Sequence, residues 1–199
     1  KGYDLFGKAV IKVLNRFNKW YGIVIGDEPR QKLFFKHPRL KKQGFINHKK
    51  VLEIYSQTNI AVACSRWNEP LGRTSLEASS RGCAVIISNR GGLPETITHG
   101  IILKKLSVTS VYEEICDLIK NSKKMRLLQK LSYKSFHHTH KSVVCKIDNY
   151  RESFLRRNLI NGRLIKKNEN LRILHVTNFN ERHDGRLFFN TGRRINNGL

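Results

Sequence analysis

Residues 60–95, IAVACSRWNEPLGRTSLEASSRGCAVIISNRGGLPE, contain the pattern that decides the fold. The runs IAVA at 60–63 and AVIIS at 84–88 are short and apolar, which is typical of strands buried on both faces of a sheet. Between them, residues 73–81 predict a helix that stops at Gly82, because glycine commonly follows a helix C-terminus. A strand, a helix and a second strand in this order predict a right-handed crossover in a parallel sheet.

The same alternation continues on both sides of this stretch. Upstream, the spacing of apolar residues predicts an amphipathic helix at 5–17, and the run YGIVIG predicts a strand at 21–26. We therefore predict the α/β class, with a Rossmann-like parallel sheet and helices on both of its faces. The other predicted elements are a short strand at 44–46 and helices at 49–57, 108–120, 124–133 and 142–156.

The chain is predicted to have two unequal parts. Residues 1–157 suffice for one Rossmann-like domain. Residues 158–170 are polar and basic, and we interpret them as a linker. Residues 171–199 begin with the strand-like run LRILHV and end in a predicted helix, so we expect them to be an incomplete βα unit that starts a second Rossmann-like domain.

The chain is strongly basic. It has 38 Lys and Arg against 15 Asp and Glu, a formal net charge of +23. This excess favours polyanionic partners, namely nucleic acid, nucleotide phosphates or an anionic membrane. Nucleic acid is the least favoured, because no nucleic-acid motif is present and the aromatic residues form no stacking platform. A basic helical face that would suit an anionic membrane consists of Lys120, Lys123, Lys124, Arg126, Lys130 and Lys134.

The four cysteines do not form a metal or disulfide framework. Cys64, Cys83, Cys116 and Cys145 lack CxxC spacing, so we expect reduced and mostly buried thiols in a cytoplasmic protein. His137, His138 and His140 have no carboxylate or cysteine at ligand spacing, which favours a solvated loop. We therefore expect no metal site and no cofactor.

Two carboxylates flank a predicted anion site. Glu69 lies in the loop before the helix at 73–81, Glu77 lies in the early turns of that helix, and Gly72 lets the backbone pass close to a ligand. The free N–H groups of the helix N-terminus, at about Gly72–Thr74, suit a pyrophosphate. Carboxylates repel phosphate but accept hydrogen bonds from hydroxyls. A phosphate site between two hydroxyl-binding carboxylates is the pattern expected for a nucleotide sugar.

The motif EPLGRTSLEASSRG, followed by AVIIS and GGLPE, resembles the donor-binding domain of the retaining glycosyltransferases of family 4. These enzymes have two Rossmann-like domains, the GT-B architecture, and the resemblance covers about residues 1–156. It implies that Glu69, the catalytic candidate, contacts donor-sugar hydroxyls and that Glu77 binds the ribose diol. It also implies that backbone amides at Leu71, Gly72 and Arg73 meet the diphosphate, that Ile46 lies against the base and that Lys1 binds the pyrophosphate.

The chain departs from the family pattern at three points. The family's arginine and the acceptor-binding domain that normally precedes this one would both lie upstream of Lys1, so we expect both to be absent from this chain. Cys64 stands where the family usually has a proline, just before the position of Ser65. Residues 171–199 resemble the opening strand, loop and helix of another GT-B domain.

The resemblance implies transfer of a hexosyl unit, with retention, from a nucleoside-diphosphate sugar to a glycan or lipid-linked acceptor. We expect the reaction to be metal-independent, the protein to be cytoplasmic with peripheral contact at the inner face of the membrane, and this piece alone to be inactive. Two alternatives stay open: a nucleotide-binding module without catalysis and, less favoured, a basic nucleic-acid-binding protein.

Overall fold

A computed structural model of the chain describes residues 2–26 and 35–160. Strands and helices alternate through most of this range, which confirms the predicted α/β class. The helices are α1 (Tyr3–Arg16), α2 (His48–Ser56), α3 (Arg73–Ser80), α4 (Val108–Lys120), α5 (Ser122–Lys134) and α6 (His140–Ile160). The strands are β1 (Gly22–Val24), β2 (Leu40–Lys42), β3 (Ile60–Ala63), β4 (Ala84–Ser88) and β5 (Ile101–Leu103), and a 3-10 helix spans Leu93–Thr96.

All of these strands pair in parallel. β4 lies between β3 and β5, with Ile60 opposite Ala84 and Ile86 opposite Ile101, and every residue of β4 is buried. β1 and β2 form a separate parallel pair, with Gly22 opposite Leu40. The described strands therefore form two parallel sheets, where the sequence predicted one.

Apolar side chains pack against both faces of β4, as the continuous apolar sequence of this strand predicted. Ala84 and Ile86 pack in one cluster with buried side chains of α1, α4 and α5. Val85 and Ile87 pack in a second cluster with Ala78 of α3. Helices therefore cover this sheet on both sides, as predicted.

Local hydrogen bonds fix where the helices begin and end. The side chains of Asn47, Ser107 and Asn121 cap α2, α4 and α5 by accepting bonds from backbone N–H groups. At the end of α3, the Gly82 N–H donates to the Ser79 carbonyl and the Cys83 N–H to the Ala78 carbonyl, a Schellman motif. The sequence-based boundaries of α2 to α5 are accordingly correct within two residues.

The C-terminus of α1 is held by an arginine from a different element. The Arg39 guanidinium donates hydrogen bonds to the carbonyls of Phe17 and Trp20, each at 2.8 Å, and to the carbonyl of Leu14. These carbonyls lie at or just beyond the end of α1, where helical hydrogen bonding runs out. Arg39 directly precedes β2, so it joins the β1–β2 pair to α1.

One predicted strand needs correction, and one observed strand was not predicted. The short strand expected at 44–46 instead lies at Leu40–Lys42, because that is the stretch in register with β1. Gly44 makes only an isolated bridge to Gly26. β5 was not predicted, although IIL at 101–103 is apolar, because three residues are too few to show a period.

The last helix is longer than predicted. α6 runs from His140 to Ile160 instead of 142–156, so the first three residues assigned to the linker at 158–170 are helical. Its expected apolar face, Val143, Ile147, Tyr150 and Phe154, is 43% to 76% exposed. The chain divides into two compact units after Cys145. Residues 161–170 of the predicted linker and the predicted βα unit at 171–199 lie outside the described residues, so the division at 157 stays a prediction.

The thiols are mostly buried, as predicted. Cys64, Cys83 and Cys116 are buried, Cys145 is exposed, and all four are free. Burial raises the pKa of Cys64 to about 11 and that of Cys83 to about 12. Within the described ranges, no helix combines the length and the apolar character that crossing a membrane requires.

Candidate functional site

A cavity of about 840 Å³ opens between β1 and β3, beside the first turn of α1 and the loop that leads into α3. It runs along the whole of β3 and includes the carboxyl end of that strand, where parallel sheets usually bind ligands. Its walls near β1 and α1 are apolar. Its polar edge includes Glu69, Leu71, Gly72, Arg73 and Thr74.

The N-terminus of α3 faces this cavity with open backbone donors. The helix begins at Arg73, after Gly72 in the left-handed conformation at φ 62° and without a side-chain cap. The Ser75 N–H donates to the Gly72 carbonyl, but the N–H groups of Gly72, Arg73 and Thr74 donate no hydrogen bond to another described residue. Free N–H groups at a helix N-terminus attract an anion. This geometry is compatible with the anion site that the sequence predicted here, which stays a prediction.

Glu69 is held in place by two serines that sequence reasoning left without a role. The Ser65 hydroxyl donates to Glu69 Oε1 at 3.0 Å and accepts from the Trp67 N–H. The Ser88 hydroxyl, fully buried at the end of β4, donates to the Ser65 carbonyl at 2.7 Å. The end of one strand thus positions the loop after another, and through it the carboxylate of Glu69.

The loop after β4 also holds the backbone of Glu69 in place. The Gly92 N–H donates to the Glu69 carbonyl at 2.7 Å, and Gly91 bridges to Glu69 in parallel register. A Cβ on Gly91 would lie 2.4 Å from the Glu69 carbonyl oxygen, and one on Gly92 would lie 2.5 Å from the Pro70 carbonyl oxygen. Only glycine fits at Gly91 and Gly92, because the backbones of the two loops approach each other so closely there. This explains the GG of GGLPE.

Glu77 lies on α3 and interacts with a residue that the sequence analysis missed. Glu77 Oε1 lies 3.1 Å from His48 Nε2 and 3.3 Å from the Arg73 guanidinium. The Glu77 side chain is 21% exposed. His48 is 29 positions away in sequence and lies at the start of α2. No local pattern links the two residues, so only the packing of α2 beside α3 reveals the contact.

The first turn of α1 is tied to the loop after β3. The Cys64 thiol, which replaces the family's proline, donates to the Gly2 carbonyl at 3.3 Å. The Arg66 guanidinium pairs with Asp4 and, mainly through this hydrogen bond, lowers the pKa of that carboxyl. Gly2 consequently lines the cavity, while its neighbour Lys1, the predicted pyrophosphate lysine, lies outside the described residues.

The predicted site residues are brought together only in part. Glu69, Leu71, Gly72 and Arg73 share one cavity edge, whereas Ile46 and Glu77 lie outside the lining. Ile46 is half-buried just before α2, in the same loop as the cap of that helix. Trp67 is 69% exposed and therefore does not pack into the core. Over the described ranges, no group of three or more His, Cys, Asp or Glu residues is placed to hold a metal ion.

Comparison with known families identifies the chain. Residues 1–135 match the family described as "Glycosyl transferases group 1". The chain belongs to this glycosyltransferase family. The match includes every residue that lines the cavity. It ends one residue after α5.

Curated relatives of this group 1 glycosyltransferase chain are much longer than the region they share with it. It is 37% identical over 92 residues to the spore coat protein SA of Bacillus subtilis (strain 168), which is 44% of this chain and 24% of that protein. It is 27% identical over 132 residues to the phosphatidylinositol N-acetylglucosaminyltransferase GPI3 subunit of Saccharomyces cerevisiae (strain ATCC 204508 / S288c), or 62% of this chain and 28% of that protein. The chain thus spans about a quarter of these relatives.

Solved structures support the same fold. The C-terminal domain of a group 1 family glycosyltransferase (LpcC) from Francisella tularensis is 26% identical, with a TM-score of 0.58 over 67% of this chain and 76% of that one. Anabaena Alr3699/HepE, solved in complex with UDP-glucose, has the same TM-score at 18% identity, over 73% of this chain and 44% of that one, and shows the fold alone. The chain therefore has the fold of the C-terminal domain of a GT-B glycosyltransferase.

Proposed function

We propose that the chain is the donor-binding half of a retaining family 4 glycosyltransferase and binds a nucleoside-diphosphate sugar. The main support is the N-terminus of α3, whose open N–H groups lie between Glu69 and Glu77 in the sequence. The diphosphate would accept hydrogen bonds from Gly72, Arg73 and Thr74. Glu69 would accept hydrogen bonds from sugar hydroxyls, and Glu77 from the ribose diol. The UDP-glucose bound to HepE is a ligand of this class.

In this proposal, the chain's residues stabilise the leaving group. The bond between the anomeric carbon and the diphosphate oxygen breaks, and an acceptor oxygen bonds to the same carbon on the same face. The acceptor proton passes to the departing diphosphate. The N–H groups and the dipole of α3 stabilise the negative charge that develops on that diphosphate, so the step needs no metal ion. Ser65 and Ser88 keep Glu69 oriented toward the sugar.

We further propose that the transferred unit is a hexosyl group and that the acceptor is a glycan or a lipid-linked molecule. A subunit of an enzyme named for phosphatidylinositol, GPI3, is one of the relatives that matches this chain. Groups from an acceptor-binding domain would complete the reaction, and without them this piece binds the donor but does not turn it over. A nucleotide-binding module without catalysis is therefore the second candidate.

Calorimetry with UDP, GDP and ADP tests donor binding. We expect weak binding of at least one of these nucleotides. Replacing Glu77 by alanine should weaken it by about 1–3 kcal/mol, because charge-assisted hydrogen bonds to the ribose are lost. Glu53→Ala is the matched control, since it removes an exposed carboxylate of α2 that pairs with Lys50.

The absence of heat with all three nucleotides, on a folded chain, would overturn the donor-site proposal. An equal loss from Glu53→Ala and Glu77→Ala would show a general charge effect and not a ribose contact. Tight, sequence-selective binding of duplex DNA at physiological salt would instead favour the nucleic-acid alternative, because nonspecific binding weakens steeply with salt.

We also propose that the protein is cytoplasmic and touches the inner face of an anionic membrane through α5. Lys124 pairs with Asp117 at 2.7 Å, so its charge is partly neutralised within the chain. Leu127 and Tyr133 are 55% and 64% exposed and could enter the lipid interface between the cations. The other cations of the predicted basic face on α5 are Lys123, Arg126, Lys130 and Lys134, and Lys120 of that face is the last residue of α4.

Cosedimentation with phosphatidylcholine vesicles, with and without phosphatidylglycerol, tests this contact. The full chain should bind the anionic vesicles only. Arg126→Glu/Lys130→Glu should weaken binding about tenfold or more, since each cation near the surface contributes about 1 kcal/mol. Lys8→Glu/Lys12→Glu makes the same charge change on the exposed side of α1. An equal loss in both double variants would show that net charge, and not α5, attracts the protein to lipid.

A further inference from the structure

The carboxylate of Glu77 has two unequal oxygens. Oε1 faces both His48 Nε2 and the Arg73 guanidinium, at 3.1 and 3.3 Å. Oε2 makes no hydrogen bond or ion pair with any other residue in the described part of the chain. A carboxylate can accept several hydrogen bonds, so the second oxygen keeps its full capacity for a ligand hydroxyl.

His48 and Arg73 differ in how firmly they can hold Glu77. Arg73 lies four residues before Glu77 on the same helix, and its side chain is 75% exposed. Exposed pairs of this kind fix geometry weakly. The His48 side chain is also exposed, at 57%, but it reaches Glu77 from α2, so its contact joins two helices. Its backbone is fixed as the first residue of α2 by the Asn47 cap, which accepts the Lys49 N–H at 2.8 Å.

In the contact between His48 and Glu77, the imidazole is the donor and the carboxylate is the acceptor. An imidazole whose Nε2 faces a carboxylate carries a proton on that nitrogen, in the neutral Nε2–H tautomer as well as in the imidazolium. The other group of α2 near Glu77 is Tyr55, whose pKa is raised to about 12 by burial and, less strongly, by Glu77 and Cys83. His48 is therefore the group of α2 that donates a hydrogen bond to Glu77.

We propose that His48 is a positioning residue that makes the site selective for ribonucleotides. By holding Oε1, it orients Oε2 to accept hydrogen bonds from the vicinal hydroxyls of the ribose. The inference rests on the proposed nucleotide-sugar site and adds to it the residue that sets the choice between ribose and deoxyribose. Without His48, the Glu77 side chain rotates among rotamers and loses its fixed direction toward the diol.

The experiment compares UDP, GDP or ADP, whichever binds best, with its 2′-deoxy and 3′-deoxy counterparts by calorimetry on the full chain. The unchanged chain should prefer the ribonucleotide by about tenfold or more, as expected for a site built to bind a hydroxyl. His48→Ala should reduce this preference to about twofold or less. His48→Gln should restore most of it, because the glutamine amide can place an N–H near the position of Nε2.

Two further variants separate positioning from charge. Lys50→Ala removes another exposed cation of α2 and should leave the preference unchanged. Arg73→Ala should weaken binding of the ribonucleotide and the deoxynucleotides alike, because the Arg73 side chain contributes positive charge and does not fix the orientation of Glu77. The preference is a ratio of affinities, so a variant that is partly unfolded lowers both values and leaves the ratio intact.

The outcomes distinguish the two proposals. If the unchanged chain binds none of the three nucleotides, the donor-site proposal fails, and this inference fails with it. If the chain binds a nucleotide but shows no preference for ribose, or keeps its preference in His48→Ala, the donor site stands and the role of His48 is wrong. A preference that is lost in His48→Ala and regained in His48→Gln supports it.

Discussion

Replacing Gly91 by alanine should lower the free energy of unfolding by about 2–4 kcal/mol and abolish measurable nucleotide binding. Gly91 has φ 54°, and an added Cβ would lie 2.4 Å from the Glu69 carbonyl oxygen and 2.7 Å from the Glu69 nitrogen. These are backbone atoms, so no change of rotamer relieves the overlap. The loop must move, and Glu69 moves with it.

Gly44→Ala is the matched control for this experiment. Gly44 has φ 60°, so alanine there meets the same unfavourable backbone region, but no atom of the described residues lies within 4 Å of the added Cβ. Left-handed backbone alone costs about 1–2 kcal/mol. Urea unfolding of both variants and calorimetry of the first measure the difference. Equal destabilisation of the two variants would show that backbone strain alone acts at Gly91 and that the loops have room to separate.

The contrast between these two glycines shows what sequence can and cannot predict. Each has a left-handed φ, but only the structure reveals that Gly91 lies against the backbone of another loop. The motif containing GGLPE indicated the family through resemblance. The physical reason for its glycines, the support of Glu69, depends on a contact between the loops that follow β3 and β4.

The helices were predictable because their signals are local. The ends of α4 follow from the Ser107 cap and from apolar spacing within the helix, and β4 follows from its uninterrupted apolar run. β2 gave no such signal: its three residues are Leu40 and two exposed lysines, and pairing with β1 fixes them as a strand. Propensity does not favour lysine in strands, so tertiary pairing decides this element.

The candidate site divides in the same way. Glu69, Gly72 and the N-terminus of α3 were predictable, because one loop and one helix contain them all. His48 and Ser88 were not, since each reaches a site residue from another element and no local pattern assigns it a role. Residues that orient a site residue across elements therefore require the structure, while residues that share its loop do not.

Arg39→Ala should lower the free energy of unfolding by about 2–4 kcal/mol, the second large effect that we expect. The Arg39 guanidinium is half-buried and donates to the carbonyls of Leu14, Phe17 and Trp20. Without it, carbonyls at the end of α1 lose their charged donor, and Leu14 is almost completely buried, so water reaches its carbonyl poorly. Urea unfolding, followed by circular dichroism, measures the shift in midpoint at constant slope.

The comparison with lysine tests whether geometry or charge stabilises the end of α1. Arg39→Lys keeps the charge but has one ammonium group in place of the planar guanidinium, so it should recover less than half of the loss. Lys41→Ala, an exposed cation of β2, should change the unfolding free energy by less than about 0.5 kcal/mol. Full recovery by lysine would show that a positive charge near the helix dipole is sufficient. Partial recovery supports the guanidinium as the group that holds the β1–β2 pair to α1, and with it the β1 wall of the cavity.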